Sequence, residues 1–202
     1  MFTGIVQDVG RVVSRETRGG DVRLIIAFDR LDPSGINIGD SICVQGCCLT
    51  AVELRDRTVA ADVSNETLSL TTLGELAPGS PVNLEPSLKA GDPLGGHLVS
   101  GHVDGVGEIA ALSGDARSTR IEIAVPPALS RYIARKGSVT IEGVSLTVND
   151  VRGATFGINL IPHTQAVTTL GALRVGTRVN VEVDQIARYV ERLLSEAAPP
   201  PR

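Results

Sequence analysis

The chain has 202 residues, of which 42% are hydrophobic, so it can form one medium domain or two small ones around a packed core. Its formal net charge is -4 and it has no block of basic residues, which predicts that nucleic acid and anionic membranes are not partners. No run of about 18 apolar residues is present, so no segment is expected to span a membrane.

Cysteine usage indicates a reducing compartment. The three cysteines, Cys43, Cys47 and Cys48, are odd in number and crowded together, which makes a poor disulfide framework. The opening residues MFTGIVQDVGRV lack the basic stretch followed by an apolar segment that an export signal carries. We therefore expect a cytoplasmic location.

An internal repeat organises the sequence. Residues 1–88 align without a gap on residues 98–185, so that Gly4 meets Gly101. Self-similarity at a fixed spacing is the signature of a duplicated structural unit. The shared glycines and threonines could merely preserve turns, but that does not explain a register that holds throughout. The chain is therefore predicted to consist of two copies of one unit.

Alternating apolar residues predict strands in both copies. They are Val22, Leu24, Ile26 and Phe28 in the first copy, and Ile121, Ile123, Val125, Val139, Ile141, Val179, Val181 and Val183 in the second. An alternation with period two places such side chains on one buried face of a strand. Glycine and proline interrupt the runs about every ten residues, which is typical of a small antiparallel barrel.

One short helix is predicted in each copy, and a further helix at the C-terminal end. In the second copy Pro127 can occupy a first helical position, residues 129–134 continue the helix and Gly137 follows it.

The final segment has the spacing of an amphipathic helix. Asp184 can cap its start, and the apolar residues that recur after it are Ile186, Tyr189, Val190, Leu193 and Leu194. This apolar stripe must be buried, either on the chain's own barrel or on other subunits. The tail 198–202 is expected to be disordered.

Segments that match between the copies are the candidate linings of two equivalent pockets for a small ligand. Glycine lets a flat ligand approach the backbone, and hydroxyl and main-chain groups can bond a heterocycle with amide-like edges. These segments are Gly4, Ile5 and Val6 with Gly101, His102 and Val103; Cys48, Leu49 and Thr50 with Ser145, Leu146 and Thr147; and Asp62, Val63, Ser64, Asn65, Glu66 and Thr67 with Asn159, Leu160, Ile161, Pro162, His163 and Thr164.

Positions that differ between the copies carry reactive residue types. The mismatched pairs are Cys48 with Ser145, Ile5 with His102, Ser87 with Asp184, and Phe2 with Val99. A cysteine is a good nucleophile when a neighbouring group favours its thiolate, and histidine is the usual acid or base near neutral pH.

Spacing alone is also consistent with purely structural roles for these residues. Cys48 is more often a buried small hydrophobe, and His97 and His102 can be polar residues with satisfied hydrogen bonds. The histidines and cysteines show no usual metal-ligand spacing, so no metal site is expected. No phosphate-binding loop or dinucleotide fingerprint occurs.

Seven segments spread over nearly all of residues 1–195 carry a family resemblance. They are MFTGIV at 1–6, GCCLT at 46–50, DVSNETL at 62–68, GGHLVSGHVDG at 95–105, YIARKGSVTIEGVSLTV at 132–148, LIPHTQAVTTLG at 160–171 and VNVEVD at 179–184. In this combination the chain resembles the riboflavin synthase family of the alpha type, whose members contain two lumazine-binding repeats. Gln45, Ala51 and Pro93 stand where the family commonly has Asn, Val and Arg, and none is at a position assigned to chemistry.

The resemblance implies an all-β fold of two tandem six-stranded antiparallel Greek-key barrels plus a C-terminal α-helix. The barrels correspond to residues 1–97 and 98–184, the trimerisation helix to 185–197 and the tail to 198–202. A homotrimer is implied, in which the first barrel of one subunit meets the second barrel of another. Association with lumazine synthase is a further implied partnership.

The resemblance also implies the reaction. Two molecules of 6,7-dimethyl-8-ribityllumazine dismutate by transfer of a four-carbon unit, giving riboflavin and 5-amino-6-ribitylamino-2,4-pyrimidinedione without a metal or redox cofactor. One substrate must lose a proton from its C7 methyl group, for which His102 is the candidate base. The other must be attacked at C7 by a nucleophile, either activated water or a side chain, with help from Cys48 and Ser145.

Further residues take roles by resemblance. Phe2 is expected to stack on an aromatic ring and Lys136 to contact the bound pteridine. The complete catalytic set is Cys48, His102, Ser145, Thr147, Asp184, Ser41 and Phe2.

Two other classes of function compete with the enzyme. One is a non-catalytic antenna protein that binds lumazine or flavin in the same duplicated fold, and the other is a structural duplication without a ligand. Antenna relatives typically have degraded reactive positions or a degraded second pocket. Here the reactive residues Cys48, His102, Ser145, Thr147 and Asp184 are all present, which favours the enzyme.

Overall fold

The computed structural model describes residues 1–197, so the predicted tail 198–202 lies outside the described residues. Two closed six-stranded β-barrels follow one another along the chain, and the predicted fold class is confirmed. No helix in the described part of the chain is long and apolar enough to cross a membrane.

The strands of the two barrels correspond closely. The first barrel contains β1 (Asp8–Arg18), β2 (Asp21–Ala27), β3 (Ser41–Val44), β4 (Cys47–Arg55), β5 (Thr58–Val63) and β6 (Pro81–Pro86). The second contains β7 (Gly105–Asp115), β8 (Ser118–Ala124), β9 (Ser138–Ile141), β10 (Val144–Arg152), β11 (Thr155–Leu160) and β12 (Arg178–Val183). In each barrel the second strand pairs with the fifth and the third with the sixth, which is a Greek-key closure.

Each barrel has its own hydrophobic core, built from the alternating residues. Leu24 and Ile26 of β2 are fully buried in the first core, and Ile121 and Ile123 of β8 are buried in the second. A smaller third cluster of Phe2, Cys43 and Val99 also packs against Cys48. Period-two alternation therefore identified the inward faces of the strands correctly.

Within residues 1–197, four α-helices accompany the strands: α1 (Asn65–Leu70), α2 (Pro127–Ser130), α3 (Pro162–Val167) and α4 (Gln185–Ala197). The helix predicted over residues 127–134 is shorter than expected. After Ser130, the amides of Tyr132 and Ile133 donate to carbonyls three residues back, so the chain continues as tight turns.

Two short helices, α1 and α3, were not predicted. Both lie in segments that the sequence indicated only as pocket linings. The Ser64 side chain accepts a hydrogen bond from the Thr67 amide at the start of α1, and Pro162 opens α3. A capping serine and a first-turn proline were the available signals.

Helix α4 presents its polar side to its own barrel and its apolar side to solvent. The Asp184 carboxylate caps it by accepting from the Ile186 amide at 3.0 Å, as predicted. Arg188 pairs with Asp104 at 2.7 Å, and Glu191 pairs with Arg131 at 3.1 Å. The stripe residues Ile186, Tyr189, Val190, Leu193 and Leu194 are between 48% and 72% exposed. The stripe is therefore not buried on the chain's own barrel.

The barrels meet where two hairpin turns approach back to back. Gln45 and Gly46 form the β3–β4 turn, Glu142 and Gly143 form the β9–β10 turn, and all four residues have positive φ. The Gln45 side-chain amide donates to the Glu142 carboxylate. A Cβ atom on Gly46 would lie 2.8 Å from the Gly143 nitrogen, so no larger residue fits between the two backbones.

Gly46→Ala should destabilise the protein strongly because it adds both left-handed backbone strain and a collision with the facing turn. We expect a loss of about 3 kcal/mol in the free energy of unfolding, measured by denaturant titration. The matched control is Gly79→Ala, since Gly79 also has positive φ (+93°) but has open space where a Cβ would be added. That control should lose only about 1 kcal/mol. Equal losses in the two variants would contradict close packing of the turns.

Candidate active site

The N-terminal segments of the two repeats cross over to each other's barrels. They first pair side by side, with the Phe2 amide donating to the Val99 carbonyl at 2.8 Å and the Val99 amide to the Phe2 carbonyl at 3.1 Å. The Ser145 amide then donates to the Gly4 carbonyl, and the Cys48 amide to the Gly101 carbonyl, both at 2.8 Å. Each pocket is therefore built from both repeats.

Apolar contacts follow the same exchange. Val6, in the first repeat, packs against the core of the second barrel, and Val103 packs against the core of the first. Sequence analysis predicted that these segments line pockets. It could not show whether a segment lines the pocket of its own repeat or that of the other repeat.

Glycine is required at both crossing points. Gly4 has φ +75°, and a Cβ there would lie 2.6 Å from the Cβ of Ser145. Gly101 has φ +77°, and a Cβ there would lie 2.7 Å from the Cβ of Cys48. Any side chain at either position would push the crossing segment away from the reactive residue beneath it.

Two buried glutamates anchor the crossing segments to their own barrels. The Glu85 carboxylate accepts from the Thr3 amide and hydroxyl, both at 2.7 Å, and from the Gly4 amide at 3.0 Å. The Glu182 carboxylate accepts from the Ser100 amide and hydroxyl, both at 2.7 Å. Burial raises the pKa of both carboxyl groups, and the hydrogen bonds from these donors oppose the rise. Sequence reasoning assigned no role to either glutamate.

The first pocket combines β4 with the crossing segment of the second repeat. Cys48 is partly exposed and lies under Gly101, whereas the His102 side chain and Thr50 are exposed. Cys43 and Cys47 are buried, and burial raises the pKa of the Cys47 thiol to about 12. Cys48 is thus the accessible cysteine, as a nucleophile or activating group must be.

The predicted residues 62–67 divide among several tasks. Asp62 forms an ion pair with Arg23 through two hydrogen bonds of 2.7 Å, which holds the pKa of Asp62 below its ordinary value. Val63 is buried in the barrel core, and Ser64 caps α1. Asn65 and Glu66 are exposed and Thr67 is half-buried.

The second pocket repeats this plan with different chemistry. Ser145, Leu146 and Thr147 lie on β10, with Ser145 beneath Gly4. Ile5, which matches His102 under the repeat, is exposed and lines a cavity of about 500 Å³ together with Leu31 and Ser87 of the first repeat. The remaining predicted residues lie on neighbouring elements: Asn159 and Leu160 on β11, and Ile161, Pro162, His163 and Thr164 at and within the start of α3. The Asn159 side-chain oxygen is buried and accepts no hydrogen bond from the described residues. Lys136 is exposed and has φ +68°.

His97 belongs to the second pocket. Its Nδ1 lies 2.7 Å from the Ser145 hydroxyl and its Nε2 lies 3.2 Å from the Thr140 hydroxyl. Burial lowers the pKa of His97, while the Asp184 carboxylate opposes that shift. A neutral imidazole in this position can accept the Ser145 hydroxyl proton. The sequence favoured no role for His97, because the residue lies between the repeats and has no counterpart to compare.

Phe2, Ser41 and Asp184 complete the predicted catalytic set. Phe2 is fully buried against Val99 and Cys43, so its ring packs beneath Cys48 and has no exposed face for stacking on a ligand. Ser41 is paired with Thr50 across β3 and β4. Asp184 caps α4 and lies near enough to His97 to influence its pKa.

Among residues 1–197, no cluster of three or more His, Cys, Asp or Glu side chains is arranged to hold a metal ion. Ser145 and His97 form a hydrogen-bonded pair of a nucleophilic side chain with a candidate base. At the other site the Cys48 amide is bonded to Gly101, the neighbour of His102 in the chain.

The fold and the paired sites define a protein of two tandem lumazine-binding domains: the family model for the lumazine binding domain matches residues 3–87 and 100–184. The chain is 45% identical over 194 residues to a riboflavin synthase of Photobacterium phosphoreum, covering 96% of this chain and 89% of the relative. It is 47% identical over 201 residues to a riboflavin synthase of Mycobacterium tuberculosis, covering 98% and 100%. The chain therefore belongs to the riboflavin synthase family, and the predicted resemblance is confirmed.

Solved structures of LumP share this fold at lower sequence identity. LumP in complex with riboflavin has a TM-score of 0.84 and is 29% identical, covering 91% of this chain and 100% of LumP. LumP in complex with 6,7-dimethyl-8-(1'-D-ribityl) lumazine has a TM-score of 0.82 at 28% identity, covering 91% and 99%. Sequence identity thus favours the enzyme over the antenna alternative.

His97 should remain neutral at pH 7 and titrate below the ordinary histidine value of about 6.5, because burial disfavours its cation. The measurement is an NMR titration of the imidazole signals, with His97 assigned by its loss in His97→Gln. Since the unfolded chain binds the proton more readily, stability should fall as the pH drops through about 6.5. A titration at or above that value would contradict a buried, neutral imidazole.

Proposed function

We propose that this protein catalyses the riboflavin synthase reaction, in which two molecules of 6,7-dimethyl-8-ribityllumazine yield riboflavin and 5-amino-6-ribitylamino-2,4-pyrimidinedione. The single observation that carries the proposal is the pair of matched crossings, at which different residues in equivalent positions, Cys48 and Ser145, each bond a segment of the other repeat. A reaction between two identical molecules requires two like binding sites, and the unequal parts that the molecules play require the sites to differ chemically. The exchange of segments gives the two barrels equivalent sites, and the substitutions between the repeats make these sites chemically different.

The proposed roles follow the chemistry of each pocket. His102, exposed at the first pocket, removes a proton from the C7 methyl group of one substrate, whose carbanion is delocalised into the ring. Ser145, hydrogen-bonded to His97, assists the attack of a nucleophile on C7 of the other substrate. Cys48 and Thr147 complete the reactive surfaces, and Lys136 contacts bound pteridine. No metal or redox cofactor takes part.

The two substrates must also be brought together, and we propose that a homotrimer does this. The first barrel of one subunit faces the second barrel of another, and proximity then supplies much of the rate. Support comes from α4, whose apolar stripe is exposed although its polar side is tied to the chain's own barrel. Such a stripe is buried by association with other subunits.

Location and a second partner extend the proposal. The three free cysteines suit a reducing compartment, so we propose a cytoplasmic protein. Association with lumazine synthase is proposed on the family resemblance.

The decisive experiment incubates the purified protein with the lumazine substrate alone. Formation of one riboflavin for every two lumazines consumed, without added cofactor, is the expected result. Ligand fluorescence without conversion would overturn the proposal in favour of a lumazine-binding antenna protein.

Cys48→Ser should slow turnover by about 100-fold because the accessible thiol assists proton transfer or attack at the reacting carbon. Lumazine binding, measured by fluorescence titration, should persist because neighbouring residues supply most pocket contacts. Full turnover by this variant would contradict the role given to Cys48.

Removal of residues 185–202 should convert the trimer to smaller species and reduce activity, because it deletes the exposed apolar stripe. Light scattering measures the assembly. The control removes only 198–202 and should leave the trimer intact. An undiminished trimer without α4 would refute its assembly role.

A further inference from the structure

Helix α4 contacts the crossing segment of the second repeat through one side chain. The Nη2 atom of Arg188 donates to the His102 carbonyl at 2.9 Å and to the Asp104 carboxylate at 2.7 Å. The side chain of Arg188 is 32% exposed and that of Asp104 is 19% exposed, so water screens the pair only in part.

These bonds complete the restraint of the crossing segment 100–104. Upstream, Ser100 is bonded to Glu182 and the Gly101 carbonyl accepts from Cys48. Downstream, the Asp104 carboxylate also accepts from the Val183 amide at 2.8 Å. Of these restraints, the bond from Arg188 is the one made by the helix, and it acts on the backbone of the candidate base.

The first repeat has no equivalent of this arginine. Arg188 lies beyond residue 185, where the second copy of the repeat ends, so no residue of the first copy matches it, and the residue that matches His102 is Ile5. The restraint is therefore confined to the crossing segment that carries the histidine.

An ion pair with Asp104 alone does not describe Arg188, since the same nitrogen also donates to the His102 carbonyl. The Nε atom is buried and, among the residues that the structure describes, donates to no acceptor, which costs free energy.

We propose that Arg188 is a positioning residue, which fixes the His102 backbone over Cys48 and so sets the geometry of the first pocket. The catalytic consequence rests on the proposed function. Because Arg188 lies on the helix that carries the assembly stripe, burial of that stripe in the trimer also secures the arginine.

The test compares Arg188→Met with Arg188→Lys in the full-length protein. Methionine keeps the unbranched stem but has no donor, whereas lysine can still donate to the carbonyl and the carboxylate. Hydrogen exchange of the Cys48 amide reports the crossing segment over the first pocket. The Ser145 amide, bonded to Gly4, is the internal reference in the other pocket.

In Arg188→Met we expect exchange at Cys48 to accelerate about tenfold, as the loss of a charged hydrogen bond implies, with exchange at Ser145 unchanged. We also expect kcat to fall more than KM rises, and Arg188→Lys to restore most of both properties. The matched control is Arg131→Met, which removes the ion pair with Glu191, one of two bonds that hold this glutamate of the helix, without touching residues 100–104. It should leave Cys48 exchange unchanged.

Three results would overturn the positioning role: unchanged exchange at Cys48 in Arg188→Met, equal acceleration at Cys48 and Ser145, or the same acceleration in Arg131→Met. A wild-type protein that forms no riboflavin, with selective acceleration at Cys48 still present in Arg188→Met, would refute the proposed function and leave the positioning role supported.

Discussion

The two backbone hydrogen bonds that the crossing segments make are the constraint on which the sites depend. Cys48 and Ser145 each give their amide proton to a carbonyl from the other repeat. Without the other repeat, each of these amides would lose its partner, and the segment that covers Cys48 or Ser145 would be absent. Neither barrel can form its pocket alone. The two repeats are therefore not independent domains, because each supplies the segment that completes the site of the other.

At the contact between the barrels, equivalent positions of the two repeats carry different residues, Gln45 and Glu142. The outward side-chain oxygen of Gln45 accepts from the Asn83 amide at 2.6 Å, and one oxygen of Glu142 accepts from the Asn180 amide in the same way. The remaining atoms of the two side chains, Nε2 of Gln45 and the other oxygen of Glu142, face each other across the contact between the turns. Two amides would oppose donor to donor there, and two carboxylates would repel, whereas one amide and one carboxylate form a hydrogen bond. Burial raises the pKa of Glu142 to about 8, yet its ionised form is the one that accepts all of its hydrogen bonds.

Most of the architecture could be predicted from the sequence, because the signals for the strands and for the duplication are local or periodic. Period-two alternation located the buried strand faces, and the ungapped register showed that the two copies share one fold. The exchange of segments was not predictable, since an alignment of a repeat on itself cannot say which copy a matched segment contacts. Glu85 and Glu182 match under the repeat, but a glutamate in a strand near a sheet end is usually solvated, so their anchoring role was hidden. Phe2 was expected to face a ligand, but the pairing of Phe2 with Val99 places it in the third cluster instead.

His97 was missed for a reason that applies beyond this molecule. A duplication copies the barrels but leaves one connection between them and one C-terminal extension, and neither has a counterpart in the other half. His97 lies in the connection and contacts Ser145, and Arg188 lies in the extension and contacts the His102 backbone. Comparison of the copies finds substitutions such as Cys48 against Ser145. It cannot assess residues in segments that have no counterpart in the other copy. The chemical difference between the two pockets thus has two sources: substitutions within the repeat, and side chains from the segments that the duplication did not copy.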